Sequence, residues 1–274
     1  MNTRSSVTIT KYSGLAGWFF ILLILAVFIF PGCEEDQDQS GNPVRVESQV
    51  DGDYLLDDET EINISNVVGS LVLTGESATN IIRWQLNKKV DADSYDSAVA
   101  GLDNIELTCD RVGDTLSLQI EHPAQTGELV HACDLALGIP YKMSVRVVVV
   151  GGEVNISNLD TIVIVQSAAG NLVLASHLGS CAIAGVTGSL TLEVALPTGG
   201  FCRAATVDGN ISLSIPSQTT ATVHLQTTGG TATHTNLDFE NLTLLTNQLD
   251  GILGTGNGEI SLTSTNGNLS ISGI

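Results

Sequence analysis

One phrase recurs along the chain: a glycine, any residue, an apolar or small residue, any residue, and a second apolar or small residue. It stands at Gly69 (Leu71, Leu73), Gly152 (Val154, Ile156), Gly170 (Leu172, Leu174), Gly179 (Cys181, Ile183) and Gly188 (Leu190, Leu192). Four more copies follow at Gly200 (Cys202, Ala204), Gly209 (Ile211, Leu213), Gly258 (Ile260, Leu262) and Gly267 (Leu269, Ile271). Alternation at period two makes a strand with one apolar face, and glycine supplies the backbone freedom or close approach that a tight corner needs. Each copy is therefore a short strand entered through a turn, and so many copies mark a repeat architecture.

The spacing selects the architecture. Gly170, Gly179 and Gly188 are 9 residues apart, too close for a crossover helix between strands. Gly170 to Gly188 is 18 residues, and Gly188 to Gly209 is 21, so two units make one coil. Strands one coil apart then stack in parallel at about 4.8 Å around a narrow aliphatic core. The expectation is an all-β chain whose residues 144–274 form a parallel β-solenoid of roughly six coils, about 30 Å long. A meander of antiparallel hairpins is the alternative. The solenoid places Cys181 and Cys202, both two residues after a corner glycine, next to each other on successive rungs. Aromatic residues are 4% of the chain, which suits a core too thin for rings.

Residues 49–143 read as a strand-rich opening module. Strands are expected over 61–74, 80–86, 105–109, 115–120 and 133–139. A helix is expected over 93–102, capped by Asp93 or Ser94, with Tyr95, Ala98, Val99 and Leu102 on one side. That helix is expected to cover the raw first edge of the stack.

Lys and Arg number 10 against 30 Asp and Glu, a net charge of -20. Such a balance repels phosphate backbones and excludes nucleic acid as a partner. Arg4 and Lys11 precede an apolar run from Leu15 to Phe30, which ends at Pro31-Gly32-Cys33 before an acidic stretch. This is the layout of an export signal. Phe30-Pro31-Gly32-Cys33 resembles a bacterial lipoprotein signal, which implies lipid attachment at Cys33; an uncleaved membrane helix over residues 1–32 is the other reading. Residues 33–48 read as an acidic tether. Both readings place the remainder outside the cytoplasm, periplasmic or on the surface, held to a membrane by lipid or helix.

Glu61-Ile-Asn-Ile-Ser65, Leu137-Gly-Ile-Pro140, Gly251-Ile-Leu-Gly254, Gly256-Asn-Gly-Glu-Ile-Ser-Leu262 and Gly267-Asn-Leu-Ser-Ile271 together resemble the DUF4097 adhesin family over residues 50–274. The resemblance implies a bacterial envelope β-solenoid and brings no catalytic or ligand residues with it.

The remaining chemistry is sparse. Four cysteines follow Cys33, and an exported compartment permits disulfides; column geometry pairs Cys181 with Cys202 and leaves Cys109 with Cys133. Plain burial of small thiols is the competing account. His122, His131 and Cys133 match no zinc spacing, and the acids Asp51, Asp53, Asp57, Asp58, Glu59 and Glu61 lack an EF-hand pattern, so no metal or cofactor is expected. The Asn-x-Ser/Thr triplets at Asn63, Asn155, Asn210, Asn241 and Asn268 read as strand and turn chemistry. Between Gly151 and Ile274 the only Lys or Arg is Arg203, and the acids are scattered, with Asp208 a lone candidate. A polysaccharide-active enzyme is thus the remote reading. The leading one is a non-enzymatic, membrane-tethered adhesin or interaction scaffold. Its Ser and Thr residues (Ser189, Thr191, Ser212, Ser214, Ser261, Thr263, Ser270) would meet an envelope protein or glycan. A self-assembling or stress-sensing accessory protein is the alternative, with the last strand phrase, Gly267 to Ile274, offered as an open edge for end-to-end association.

Overall fold

The computed structural model describes residues 43–274 apart from 78–79 and 126–128. The export signal, Cys33 and the tether as far as Asn42 lie outside the described residues.

The chain is mostly β. Its opening part comprises β1 (Val44–Leu55), β2 (Glu61–Val68), β3 (Leu71–Glu76), β4 (Ile81–Ala92), the helix α1 (Tyr95–Asp103), β5 (Glu106–Val112), β6 (Thr115–Glu121) and β7 (Leu129–Pro140). The middle comprises β8 (Ser144–Gly151), β9 (Val154–Ser157), β10 (Val163–Ala169), β11 (Leu172–His177), β12 (Cys181–Thr187), β13 (Leu190–Val194), β14 (Phe201–Asp208) and β15 (Ile211–Ile215). The last part comprises β16 (Ala221–Thr227), β17 (Ala232–Thr235), β18 (Phe239–Leu244), β19 (Gln248–Leu253), β20 (Gly258–Asn266) and β21 (Leu269–Gly273).

These strands form two large sheets. The first, of 10 strands, runs β1-β4-β7-β3-β9-β11-β13-β15-β21-β17; the second, of 11, runs β18-β19-β16-β20-β14-β12-β10-β8-β2-β6-β5. One strand from each sheet makes a rung. From one end the rungs are β6/β7, β2/β3, β8/β9, β10/β11, β12/β13, β14/β15, β20/β21 and β16/β17. Ladders between neighbouring rungs are parallel, whereas β5 on β6, β4 on β7, β1 on β4, β19 on β16 and β18 on β19 are antiparallel. Both sheets are therefore mixed, and a wholly parallel solenoid does not describe them. The antiparallel strands sit at the two ends; β5–β6 and β18–β19 are hairpins closed by short turns, while β1–β4, β4–β7 and β16–β19 pair across longer connections.

In-register parallel pairing stacks like on like. In the first sheet Leu71, Val154, Leu172, Leu190, Ile211 and Leu269 form one inward column, each buried. One continuous core runs from Ile62 to Ile271, so the opening strands extend the same stack. Burying a side chain such as Leu190 contributes about 1.5–3 kcal/mol, and no aromatic ring is needed to fill so narrow a layer.

Several boundaries differ from the sequence reading. Val44–Ser48, expected in the tether, opens β1, because Val44, Val46 and Val50 alternate with exposed residues and Val46 and Val50 lean on the core. In α1 the cap is Ser94, whose hydroxyl accepts the Ser97 N–H at 3.2 Å; Ala98, Gly101 and Leu102 are buried while Tyr95 is exposed. The helix lies against β1, β4 and β7, and Lys88 Nζ donates to the Ile105 carbonyl just beyond its C-terminal end at 2.6 Å. The last strand, β21, is not an open edge: it pairs with β15 on one side and β17 on the other. The chain leaves one rung's width empty after β15, builds β16 to β19, and then fills the gap with β20 and β21.

Candidate functional site: a hydroxyl-lined sheet face

The corner glycines position the faces. Six of the nine fall in one column, Gly69, Gly152, Gly170, Gly188, Gly209 and Gly267, and a Cβ on any of the last five would stand 1.8–2.0 Å from the carbonyl oxygen of the glycine on the neighbouring rung. Only a hydrogen fits there. Gly230 joins this column against Gly267; the phrase misses it because His234 takes an inward place, edge-on to Phe239. Gly179, Gly200 and Gly258 belong to the other corner, where the first two precede β12 and β14 and the third opens β20. After the column glycine, an asparagine ties rungs together. Asn171 Oδ1 accepts the Ser189 N–H at 2.9 Å, Asn210 Oδ1 accepts the Asn268 N–H at 2.8 Å, and Asn268 Oδ1 accepts the Thr231 N–H at 3.0 Å. Two of the Asn-x-Ser/Thr triplets thus serve corner hydrogen bonding.

Register then gathers hydroxyls on the outer face of the first sheet. Thr191, Ser212, Ser270 and Thr233 are successive partners across β13, β15, β21 and β17, and Ser214, Ser272 and Thr235 form the next outward column. Rungs repeat at about 4.8 Å and the columns lie about 6.7 Å apart. The hydroxyls are linked: Ser270 Oγ donates to Ser212 Oγ at 3.1 Å, and Ser214 and Ser272 share a hydrogen bond of 3.2 Å. Glu193, which pairs with Ser214, is the one charged residue in these two columns over the four strands. Of the seven residues selected from sequence, Thr191, Ser212, Ser214 and Ser270 meet here. Ser189 stands at a corner, and Ser261 and Thr263 lie on β20 in the opposite sheet.

The opposite sheet carries a row that sequence reasoning missed. Arg203 on β14, Ser261 on β20, His224 on β16 and Asp250 on β19 are register neighbours. Arg203 holds Glu259 through two hydrogen bonds of 2.6 and 2.8 Å, and His224 Nδ1 pairs with Asp250 Oδ1. The hydrogen bond from His224 holds the Asp250 carboxyl below its ordinary range, and Arg203 does the same for Glu259. The insertion of β20 between β14 and β16 assembles this row, so no spacing along the chain announces it. Its side chains stand on an open sheet face, and Ser261 makes no hydrogen bond to His224. Asp208, the other carboxylate considered from sequence, accepts a hydrogen bond from Asn266 Nδ2 at 2.7 Å.

Cys181 and Cys202 are register partners, both fully buried, with Sγ atoms 3.5 Å apart. That exceeds the roughly 2.0 Å of a disulfide, so the structure holds two stacked thiols where a bridge was expected. Contact with Cys181 and burial push the Cys202 thiol well above its ordinary value, which makes it a poor nucleophile. Cys109 on β5 and Cys133 on β7 belong to different sheets and are not bridged either. His122 and His131 meet with ring centroids 4.3 Å apart and their planes tilted by 44°, and among the described residues no group of three or more His, Cys, Asp or Glu is placed to hold a metal. The acids near β2 surround a cation instead: Arg111 reaches Asp57, Asp58 and the buried Glu59, which also accepts the Tyr54 hydroxyl at 2.8 Å.

No protein-family model matches the chain, and no curated protein does. Among solved structures, a "putative cell adhesion protein" from Clostridium sporogenes is similar at 11% identity, covering 85% of this chain and 100% of that one with a TM-score of 0.45. A "putative adhesin" from Bacteroides fragilis is similar at 15% identity, covering 83% of this chain and 97% of its own, TM-score 0.35. A "putative lipid binding protein" from Parabacteroides distasonis is similar at 14% identity over 86% and 98%, TM-score 0.23. Likenesses this loose carry neither an activity nor a ligand across, and the hydroxyl face stands on its own geometry.

Proposed function

We propose that this chain is a non-enzymatic envelope protein, a capped β-solenoid tethered to a membrane through Cys33 or an N-terminal helix, whose hydroxyl face binds a neutral glycan. The observation that carries the reading is the register of Thr191, Ser212, Ser270 and Thr233 beside Ser214, Ser272 and Thr235. A flat, nearly uncharged array of paired hydroxyls offers donors and acceptors at fixed intervals. It suits a polymer that is itself rich in hydroxyls and carries no charge to be desolvated. A net charge of -20 argues against acidic polymers as ligands. The row at His224 then serves the structure, since a nucleophile needs a base within hydrogen-bond reach.

The test is retention of the full chain in detergent on a panel of insoluble neutral polysaccharides and purified cell-wall sacculi. The double variant Ser212→Glu/Ser270→Glu is expected to lose at least about tenfold in affinity, roughly 1.4 kcal/mol. Ser261→Glu on the opposite sheet is expected to bind as the parent does. Failure of the parent to bind any of these polymers, or equal binding by the double variant, sinks the reading.

A further inference from the structure

The two ends of the stack solve the same problem differently. At the end nearest the N-terminus the first sheet overhangs by β4 and β1, and α1 packs Ala98 and Leu102 beneath them. At the other end the second sheet overhangs by β19 and β18 past the last rung, β16/β17. Phe239, at the start of β18, meets His234 and leans on the core, while the rest of the strand is exposed. Leu244 pairs with Leu249, whose side chain is fully buried, so it has the inward parity of the core, yet it is 50% exposed. Leu242 is 39% and Leu245 55% exposed.

β18 is also an open edge, bonded to β19 alone. Open edges are normally protected by charge. The opposite edges follow that rule: β1 bears Arg45, Glu47, Asp51 and Asp53, and β5 bears Glu106, Asp110 and Arg111. β18 bears Glu240 and three apolar residues, Phe239, Leu242 and Leu244, with Leu245 directly after.

We propose that β18 docks a second copy of this chain, the two β18 edges pairing antiparallel across a twofold axis with Leu242, Leu244 and Leu245 buried between them. An antiparallel edge is self-complementary, as a twofold contact requires. Charge points to this end as well. Residues 144–274 hold two basic and eight acidic side chains, a charge of -6 out of the chain's -20, so copies meeting here feel least of the mutual repulsion. The 42 residues that precede the described part rejoin at Pro43, next to β1. That edge is nine strand spacings from β17, about 43 Å, which disfavours them as the cover.

Sedimentation of the full chain in nonionic detergent tests this, with hydrogen exchange read over residues 239–247. The expected result is a reversible dimer whose 239–247 amides lose protection on dilution. In Leu242→Asp/Leu244→Asp the dissociation constant should rise by at least about a hundredfold. Both positions are exposed, so the thermal midpoint should hold; Leu242→Ser/Leu244→Ser is the milder variant should the first fail to fold. A dimer formed through the N-terminal segment would be indifferent to these substitutions, and that outcome overturns the proposal. So does a parent that stays monomeric, including one whose 239–247 amides are protected by residues 1–42 or by another cover.

Discussion

Replacing Gly188 by alanine should be among the most damaging single-methyl additions this protein can receive. Its φ is +128°, and the new Cβ would stand 2.0 Å from the Gly170 carbonyl oxygen and 2.5 Å from its carbon. These are backbone atoms, so no side chain can swing aside. Relief requires the two rungs to part by about 1 Å at this corner, stretching ladder bonds such as Gly170 N–H to the Thr187 carbonyl and Leu172 N–H to the Ser189 carbonyl, 2.9 and 3.0 Å. The unfavourable torsion costs about 1–2 kcal/mol and the overlap about 1–3 kcal/mol, so a loss of about 2–5 kcal/mol is expected. Two controls separate the contributions. Gly113, φ +66° with no atom within 4 Å of an added methyl, isolates the torsion and should lose about 1 kcal/mol. Gly151 has neither constraint and should be neutral or gain about 0.5 kcal/mol as alanine. Urea unfolding followed by circular dichroism ranks the three, and a fall in the m-value of Gly188→Ala would show its end of the stack unfolding separately. If Gly188→Ala lies within about 0.5 kcal/mol of Gly113→Ala, the close stacking of corner glycines is not what excludes side chains there.

Two further outcomes follow from burial and topology. His177 is 1% exposed, with Nε2 donating to the Ser180 carbonyl at 3.2 Å, and desolvation lowers its pKa below the usual 6.5, partly opposed by Ser180 and Asp160. Below pH 6.5 the unfolded chain therefore binds a proton that the folded one refuses, and stability falls as pH drops from 6.5 toward the folded value. His177→Gln should narrow its deficit against the parent between pH 8 and pH 5; a deficit that stays constant contradicts the neutral buried ring. Hydrogen exchange should find the amides of Leu269–Gly273 as protected as those of Ile211–Ile215, although β21 is the last strand of the chain. Rapid exchange there, as in a fraying terminus, counts against its place between two rungs.

Local periodicity was legible and long-range order was not. The glycine phrase identifies β3, β9, β11, β13 and their neighbours, and the 21-residue interval brings Cys181 beside Cys202, because parallel stacking converts sequence spacing directly into register. The places of β20 and β21 are set instead by which rung has a vacant edge, and nothing in Gly258 to Ile274 distinguishes an insertion from a continuation. β1 was hidden for a different reason: Val44, Val46 and Val50 are few among polar residues, and an end strand with one solvated face needs no more. The hydroxyl face was half legible, since Thr191 and Ser212 are 21 residues apart like the cysteines, while Thr233 and Ser272 enter through the insertion.

The insertions change how the stack resists fraying. In a simple repeat array the terminal unit has one neighbour and opens first. Here the chain's last rung, β20/β21, is bonded on both sides, to β14/β15 and to β16/β17, and peeling it away breaks two ladders in each sheet. The opening rung β2/β3 is likewise held between β6/β7 and β8/β9. The end rungs β6/β7 and β16/β17 are internal segments of the chain, so neither can leave without dragging chain anchored on both flanks. Loop closure thus does for both ends what a capping repeat does in a longer array, and it leaves β18, a strand with little of its own to pack on, as the least constrained edge of the molecule.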